Sequence, residues 1–163
     1  MPAHLLIDGY NVIRRSGAPA PSGPADLEGS RRYLLDALSR YKQEKQVRIT
    51  VVFDGGGGTS IRRERDRYRG VEVIYSKGGE TADQVIIEAI RTRPSGLVVA
   101  TSDRAIIDEA KKHGVAFITA DRLGAALMGE DSGGESVPRT EKKGNPRKAP
   151  KGLRQARRTI RKI

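Results

Sequence analysis

Short apolar runs alternate with helical patterns over about the first 130 residues, and this alternation constrains the fold more than any other feature. The apolar runs are residues 4–8, 47–53, 71–75, 96–101 and 115–118. Three of them are rich in β-branched residues, which suits strands buried in a parallel sheet. Because helices fall between the strands, right-handed crossovers are expected. The pattern predicts an α/β fold, a three-layer α/β/α sandwich on a five-stranded parallel sheet.

Four helices are predicted from apolar spacing and capping signals. In residues 27–44, apolar side chains recur at spacings of three, four and seven, with basic residues opposite. The stretch 81–92 opens with a Thr and a Gln in the pattern of a capping box. Further helices are predicted at 104–113 and 120–128, each followed by a glycine. All four are expected to pack on the sheet.

The net charge of +11 is concentrated near the C-terminal end. Residues 1–137 carry 20 Lys and Arg against 19 Asp and Glu, whereas residues 138–163 carry 11 against 1. From residue 131 the composition changes to Gly, Ser, Pro and Lys, which is typical of a flexible linker. We therefore predict a folded domain at 1–130 and a flexible basic tail at 131–163. The end of the tail is expected to become helical only on binding.

A basic tail fits a polyanion, either RNA through counterion release or an acidic membrane surface. A solubilising tail without a specific partner is the alternative. We predict that the tail binds RNA, with the ribosome as one candidate. The arginines expected to contact RNA here are Arg154, Arg157, Arg158 and Arg161.

The chain has no cysteine. Disulfides and thiolate-bound zinc or iron–sulfur sites are therefore excluded. The N-terminal residues lead directly into a strand pattern, without the basic and apolar regions of a signal or membrane helix. The expectation is a cytoplasmic protein with no membrane partner.

Three aspartates are expected at one edge of the sheet. Asp8 closes the first strand, Asp103 follows the fourth, and Asp83 falls in the first turn of the helix that leads into the fourth. Ligands of open α/β sheets bind beyond the carboxyl ends of strands, where the strand order reverses. Clustered carboxylates need a neutralising cation, and oxygen ligands favour Mg²⁺ or Mn²⁺. A metal-acidified water suits phosphodiester hydrolysis.

Each aspartate also has a structural explanation. An Asp after a strand often makes a turn or caps a helix, and Asp103 or Ser102 would cap the helix that begins at residue 104. Asp8 has little obvious capping work, since it ends a strand and precedes a glycine. Asp54, at the end of the second strand, either supports the site or starts the glycine turn. Convergence of the three acids on one edge favours the functional interpretation.

An arginine-rich segment follows the glycine run at 55–58. These glycines lack the Lys-Ser/Thr of a phosphate-binding P-loop, so a mobile loop that admits RNA is predicted. The cations of the segment are Arg62, Arg63, Arg65, Arg67 and Arg69. They are predicted to contact RNA phosphates, and a solvated, salt-bridged helix face explains the charge pattern equally well.

Four motifs in order, LLIDGYNVI, VVFDG, GGETADQVI and VVATSDRAI, resemble the YacP-like NYN domain, a branch of the PIN-like nucleases. The resemblance covers residues 3–128 and leaves the basic tail outside. It implies the strand order 3-2-1-4-5, which makes the first and fourth strands neighbours. It also implies that Asp8, Asp83 and Asp103 are the metal-binding acids.

The same resemblance matches Asn11 to the polar residue of the DGYN motif that helps to hold water or phosphate. Glu80 is a further candidate acid, whereas Asp121 matches no family motif. The prediction is a metal-dependent endoribonuclease that hydrolyses RNA phosphodiester bonds. Two alternatives stay open: a non-catalytic RNA- or ribosome-binding module on the same fold, and a nucleotide-binding signalling domain of flavodoxin-like form.

Overall fold

The computed structural model describes residues 3–15, 24–55, 60–92 and 94–129, except the side chains of 24–26. The predicted basic tail, with its four candidate arginines, lies outside these ranges, and so do three of the four glycines of the run at 55–58. Within these ranges, no helix is long and apolar enough to cross a membrane.

The described residues form one six-stranded sheet and five helices. The strands are β1 (His4–Asp8), β2 (Arg48–Phe53), β3 (Glu64–Tyr68), β4 (Val71–Tyr75), β5 (Leu97–Ala100) and β6 (Ala116–Ile118). The helices are α1 (Gly9–Arg15), α2 (Pro24–Lys45), α3 (Ala82–Thr92), α4 (Arg104–Lys112) and α5 (Ala120–Leu127). All five predicted strands and all four predicted helices are confirmed, and β3 and α1 are additional.

The sheet has the order β3-β4-β2-β1-β5-β6. Its neighbours pair in parallel except for β3 and β4, which are antiparallel. Counted among themselves, the five parallel strands follow the order 3-2-1-4-5, which confirms the expectation from the family resemblance. A flavodoxin-like sheet follows the order 2-1-3-4-5, so that alternative does not fit.

The expected sheet of five parallel strands lacked β3, an antiparallel edge strand. Its residues, ERDRY, offer no apolar alternation, because four of the five are exposed and charged. Arg69 (φ 46°) and Gly70 (φ 85°) join it to β4 through a two-residue turn in which both residues have positive φ, as tight hairpins require. The helix assumed for this segment in the salt-bridge alternative is therefore wrong. Charged edge strands also resist pairing with other chains.

Helices cover both faces of the sheet, which confirms the three-layer α/β/α architecture. On one face, Ile7, Val51 and Phe53 belong to a core shared with α1, α2 and α5. On the other, Leu6 and Val52 belong to a core shared with α3 and α4. Because side chains alternate along each strand, both cores come from the same strands.

Substitution of Gly9 is expected to destabilise the fold. A Cβ at this position would overlap Cε1 of Phe53, which belongs to a fully buried ring packed against Tyr10 and Tyr75. The ring has nowhere to move, so Gly9→Ala should lower the free energy of unfolding by about 1 to 3 kcal/mol, as measured by urea denaturation.

Gly29→Ala is the matched control, because a Cβ there would meet nothing within 4 Å and the position lies inside α2. It should raise stability by about 0.5 to 1 kcal/mol. Equal effects of the two substitutions would refute the close packing of Phe53 on Gly9.

Candidate active site

The strand order reverses between β1 and β5, and a buried hydroxyl there links two of the predicted acids. Asp8 ends β1 and is 6% exposed, while Thr101 follows β5 and is fully buried. The Thr101 hydroxyl donates to Oδ2 of Asp8 (3.2 Å) and accepts from the backbone N–H of Asp103 (3.0 Å). Thr101 was missed from the sequence, although it stands in the VVATSD motif.

Asp8 also receives a hydrogen bond from the backbone N–H of Asn11. Because α1 begins at Gly9, Asp8 occupies the N-cap position and Asn11 the third helical position. The expectation that Asp8 has little capping work is therefore wrong. The error follows from α1, a helix that the sequence pattern did not predict.

Asp103 is the N-cap of α4. Its Oδ1 accepts from the backbone N–H groups of Ala105 (2.9 Å) and Ile106 (3.3 Å). The structural alternative for Asp103 is thus present in the molecule. It does not exclude a second function, since a carboxylate has lone pairs for several partners.

The loop at 101–103 is fastened to two helices. Oδ1 of Asn11 accepts from the backbone N–H of Ser102 (2.7 Å). The Ser102 hydroxyl in turn accepts from the backbone N–H of Ala120 at the start of α5 (3.0 Å). Asn11 and Ser102 therefore fix the backbone that presents Asp103.

Asp83 lies in the first turn of α3, between Thr81 and Gln84, the two residues of the predicted capping box. The backbone N–H of Thr81 donates to Oε1 of Gln84 (2.9 Å), and that of Gln84 donates to the Thr81 hydroxyl (3.2 Å). Both bonds of the box are therefore formed, and they set where α3 begins.

Three aspartates interact electrostatically with one another, and a fourth interacts with one of them. Burial raises the pKa of Asp8 to about 6, and the charges of Asp83 and Asp103 add to this, while hydrogen bonds oppose it. Burial also raises the pKa of Asp83, together with the charges of Asp103 and Asp54. The fold thus brings Asp8, Asp83 and Asp103 to one place and sets Asp54 near Asp83.

The donor chemistry of this cluster fits a hard divalent cation, since all the groups are carboxylates and the buried one is destabilised by like charge. In their present arrangement, however, the described side chains include no group of three or more His, Cys, Asp or Glu that could hold a metal ion.

Glu80 has a cationic partner instead of a place in this cluster. Its carboxylate binds Arg63 through Nε (3.0 Å) and Nη2 (2.6 Å), and Arg63 lowers the pKa of Glu80. Arg63 also binds Glu88 at 2.5 Å. Glu80 is absent from the charges that raise the pKa of Asp8 or Asp83. Its role as a metal ligand stays a prediction.

Three of the five arginines of the charged segment pair with carboxylates. Besides Arg63, Arg65 binds Glu72 (3.2 Å) and Arg69 approaches Asp36 (3.7 Å). The salt bridges of the structural alternative therefore exist, although on β3, on its turn and on the residue before it instead of on a helix. Contact of these arginines with RNA stays a prediction.

The stability of Asp8→Asn relative to the wild type should depend on pH. With a pKa of about 6 in the folded protein and 3.8 ordinarily, the folded state holds the proton more tightly than the unfolded chain. The ionised carboxylate therefore costs folding free energy above about pH 6. This cost disappears as the pH falls from about 6 towards 4.

In EDTA at about pH 8, Asp8→Asn should be more stable than the wild type by about 1 to 2 kcal/mol. The difference between the folded pKa of about 6 and the ordinary value of 3.8 corresponds to about 3 kcal/mol. The impaired hydrogen bond of the variant costs about 1 kcal/mol of this gain. Asn is as good an N-cap as Asp. Near pH 4 this advantage should disappear and leave Asp8→Asn less stable than the wild type by about 1 kcal/mol, because the impaired hydrogen bond remains. A difference in unfolding free energy that stays constant between these pH values would contradict the burial of a charged Asp8.

An α/β/α sandwich with this strand order and with aspartates gathered at its carboxyl edge defines the PIN-like class of domains, which are generally nucleases. The family model of the YacP-like NYN domain matches residues 5–161, and the chain belongs to this family. The match extends well past residue 128, where the resemblance based on the four motifs ended. Most of the basic tail therefore lies inside the region that the family model matches, and the expectation that the tail lies outside the family is wrong.

Two solved structures of Rae1 (YacP) from Bacillus subtilis are similar to this chain. One is 27% identical, with 80% of this chain and 77% of that chain covered and a TM-score of 0.59. The other, a W164L mutant, is 26% identical, with 78% of each chain covered and a TM-score of 0.61. The comparison with curated proteins gave no match. Family and neighbours together support a nuclease or RNA-related role, with RNA as the implied substrate.

Proposed function

We propose that this protein is a metal-dependent endoribonuclease that hydrolyses RNA phosphodiester bonds, with Asp8, Asp83 and Asp103 as the ligands of Mg²⁺ or Mn²⁺. One observation carries the proposal: a buried aspartate lies among like charges where the strand order reverses. Carboxylates with perturbed pKa values are typical of functional sites. A bound cation would stabilise their ionised forms.

The residues around the aspartates hold them in place. The Thr101 hydroxyl and the Asn11 backbone orient the Asp8 carboxylate, while the Asn11 side chain fixes the loop that carries Asp103. These contacts come from strand ends and helix starts, which are rigid supports for a site. When bound, the metal would supply an acidified water and offset charge on the phosphoryl oxygens.

The basic tail completes the proposal as an RNA tether. It raises the local concentration of RNA at the carboxylate edge without taking part in the chemistry. Structured RNA, the ribosome included, is the partner proposed for it, and the cytoplasm is the proposed compartment. Arg154, Arg157, Arg158 and Arg161, all in the segment beyond the described residues, are the proposed contacts.

A non-catalytic RNA-binding module is the second candidate, and two observations favour it. Asp8 and Asp103 already accept backbone hydrogen bonds at helix N-termini. In addition, the described part of the chain contains no ready group of metal ligands. Such a module would bind RNA through its basic surfaces but would not cleave it.

Incubation of the full-length protein with total RNA in Mn²⁺, Mg²⁺ or EDTA, followed by mapping of new RNA ends, separates the two candidates. The nuclease proposal predicts internal cleavage that requires a divalent metal and is lost in Asp103→Asn. RNA binding without metal-dependent ends would favour the module. Metal-dependent ends that persist at the wild-type level in Asp103→Asn would refute the proposed site.

A further inference from the structure

A groove of about 550 Å³ lies at the opposite edge of the sheet from Asp8, where β2 and β4 begin. The last turn of α2, the start of β2 and the β3–β4 hairpin form its walls. It is separate from the carboxylate cluster, because Arg48 at the start of β2 and Asp54 just past its end are six positions apart, or about 20 Å of extended chain. The polar side chains that line the groove are Lys42, Gln43, Gln46, Arg48, Arg67 and Glu72.

The lining of the groove is cationic. Glu72, the one carboxylate that the described part of the chain contributes to the lining, is shared by Arg48 and by the neighbouring Arg65, each at 3.2 Å. Among the residues that the structure describes, the side chains of Lys42 and Arg67 take part in no ion pair. Within the described ranges, two cations without a carboxylate partner therefore face the same cavity.

The end of α2 adds neutral hydrogen-bonding groups to the lining of the groove. Gln46 lies just past the helix with a φ of 50°, a left-handed conformation for which glycine is usually preferred. A glutamine is present instead, and it lines the groove together with Gln43. The carbonyl end of a helix disfavours anions, and the basic residues of the last turn, Lys42 and Lys45, offset this.

We propose that this groove binds phosphate groups of the RNA backbone and anchors RNA away from the cleavage site. Ammonium, guanidinium and amide groups around one cavity are the donors that phosphate oxygens accept from. The choice of RNA rests on the proposed function. Arg67, one of the five arginines of the charged segment, acts here together with Lys42, which the sequence did not single out.

The test measures RNA binding by the full-length protein in EDTA, where hydrolysis does not interfere. Binding of a fluorescent hairpin RNA is followed by anisotropy at several salt concentrations. Lys42→Gln and Arg67→Gln should each weaken binding about three- to tenfold and lower the salt slope by about 1. Unfolding curves and circular dichroism establish that each variant is folded. If Lys42→Gln does not fold, Arg67→Gln alone tests the proposal, because Arg67 is exposed.

Arg40→Gln is the matched control. Arg40 is exposed and lies two residues before Lys42, about 200° around α2, so its substitution removes one charge from the same helix but not from the groove. It should change affinity less than about twofold. Groove variants that behave like Arg40→Gln would overturn the proposal.

Titration with AMP distinguishes the two sources of phosphate. If AMP binds the wild type and loses affinity in Arg67→Gln, while RNA affinity is unchanged, the groove is a nucleotide site and the RNA anchor is wrong. Because binding is measured without metal, the groove can be supported even if the wild type cleaves no RNA. Failure of the groove, conversely, leaves metal-dependent cleavage at the aspartates intact.

Discussion

Asp8→Asn is expected to lower metal-dependent RNA cleavage at least about 100-fold while the fold is retained. The substitution removes a ligand charge at nearly constant shape. Loss of residues that merely support metal ligands already costs about 10- to 100-fold, and loss of a ligand should cost more. Single-turnover cleavage of a short RNA oligonucleotide in saturating Mn²⁺ measures the effect.

The control for this substitution is Asp108→Asn. Asp108 is exposed on α4, five residues beyond Asp103. Its substitution therefore removes the same charge as Asp8→Asn, but from outside the carboxylate cluster. Its cleavage rate should stay within about twofold of the wild type, since surface substitutions have small effects. If Asp8→Asn cleaved at the wild-type rate under saturating metal, the proposed centre would be wrong.

Removal of residues 138–163 is expected to weaken binding to long structured RNA about 100-fold or more at low salt. These residues carry ten of the eleven net positive charges. Each phosphate contact releases counterions, and the benefit is largest where screening is weak. Anisotropy or filter binding across a salt series measures the loss, which should shrink as the salt concentration rises.

Cleavage of a short oligonucleotide at saturation should be almost unchanged in the truncated protein, because the tail acts as a tether. Thermal stability should also be unchanged. If the truncated protein unfolds instead, the tail contributes to the core and the tether proposal must be abandoned. Unfolding would be informative because the family model matches the chain through residue 161 and so includes most of the tail. The apolar residues that would then pack on the domain are Leu153, Ala156, Ile160 and Ile163.

Local patterns were sufficient for the parallel sheet and most helices. Buried parallel strands have nearly continuous apolar sequences, so β2 and β5 are visible without any knowledge of their partners. The capping box at Thr81 and Gln84 is equally local, because its two bonds join residues three apart. The strand order came from the family resemblance, since periodicity does not say which strands are neighbours.

Interactions between distant residues decided the rest. The charged strand β3 exists because β4 pairs with it, and a strand defined by its partner has no apolar signature of its own. Thr101 reaches Asp8 across 93 residues of chain, and Arg63 reaches Glu80 across 17. Sequence patterns and the family resemblance predicted that Asp8, Asp83 and Asp103 would lie together at the carboxyl ends of the strands. Only the tertiary structure decided which of them are buried, which cap helices and which are bound by arginine, because these properties depend on side chains that meet only in the folded state.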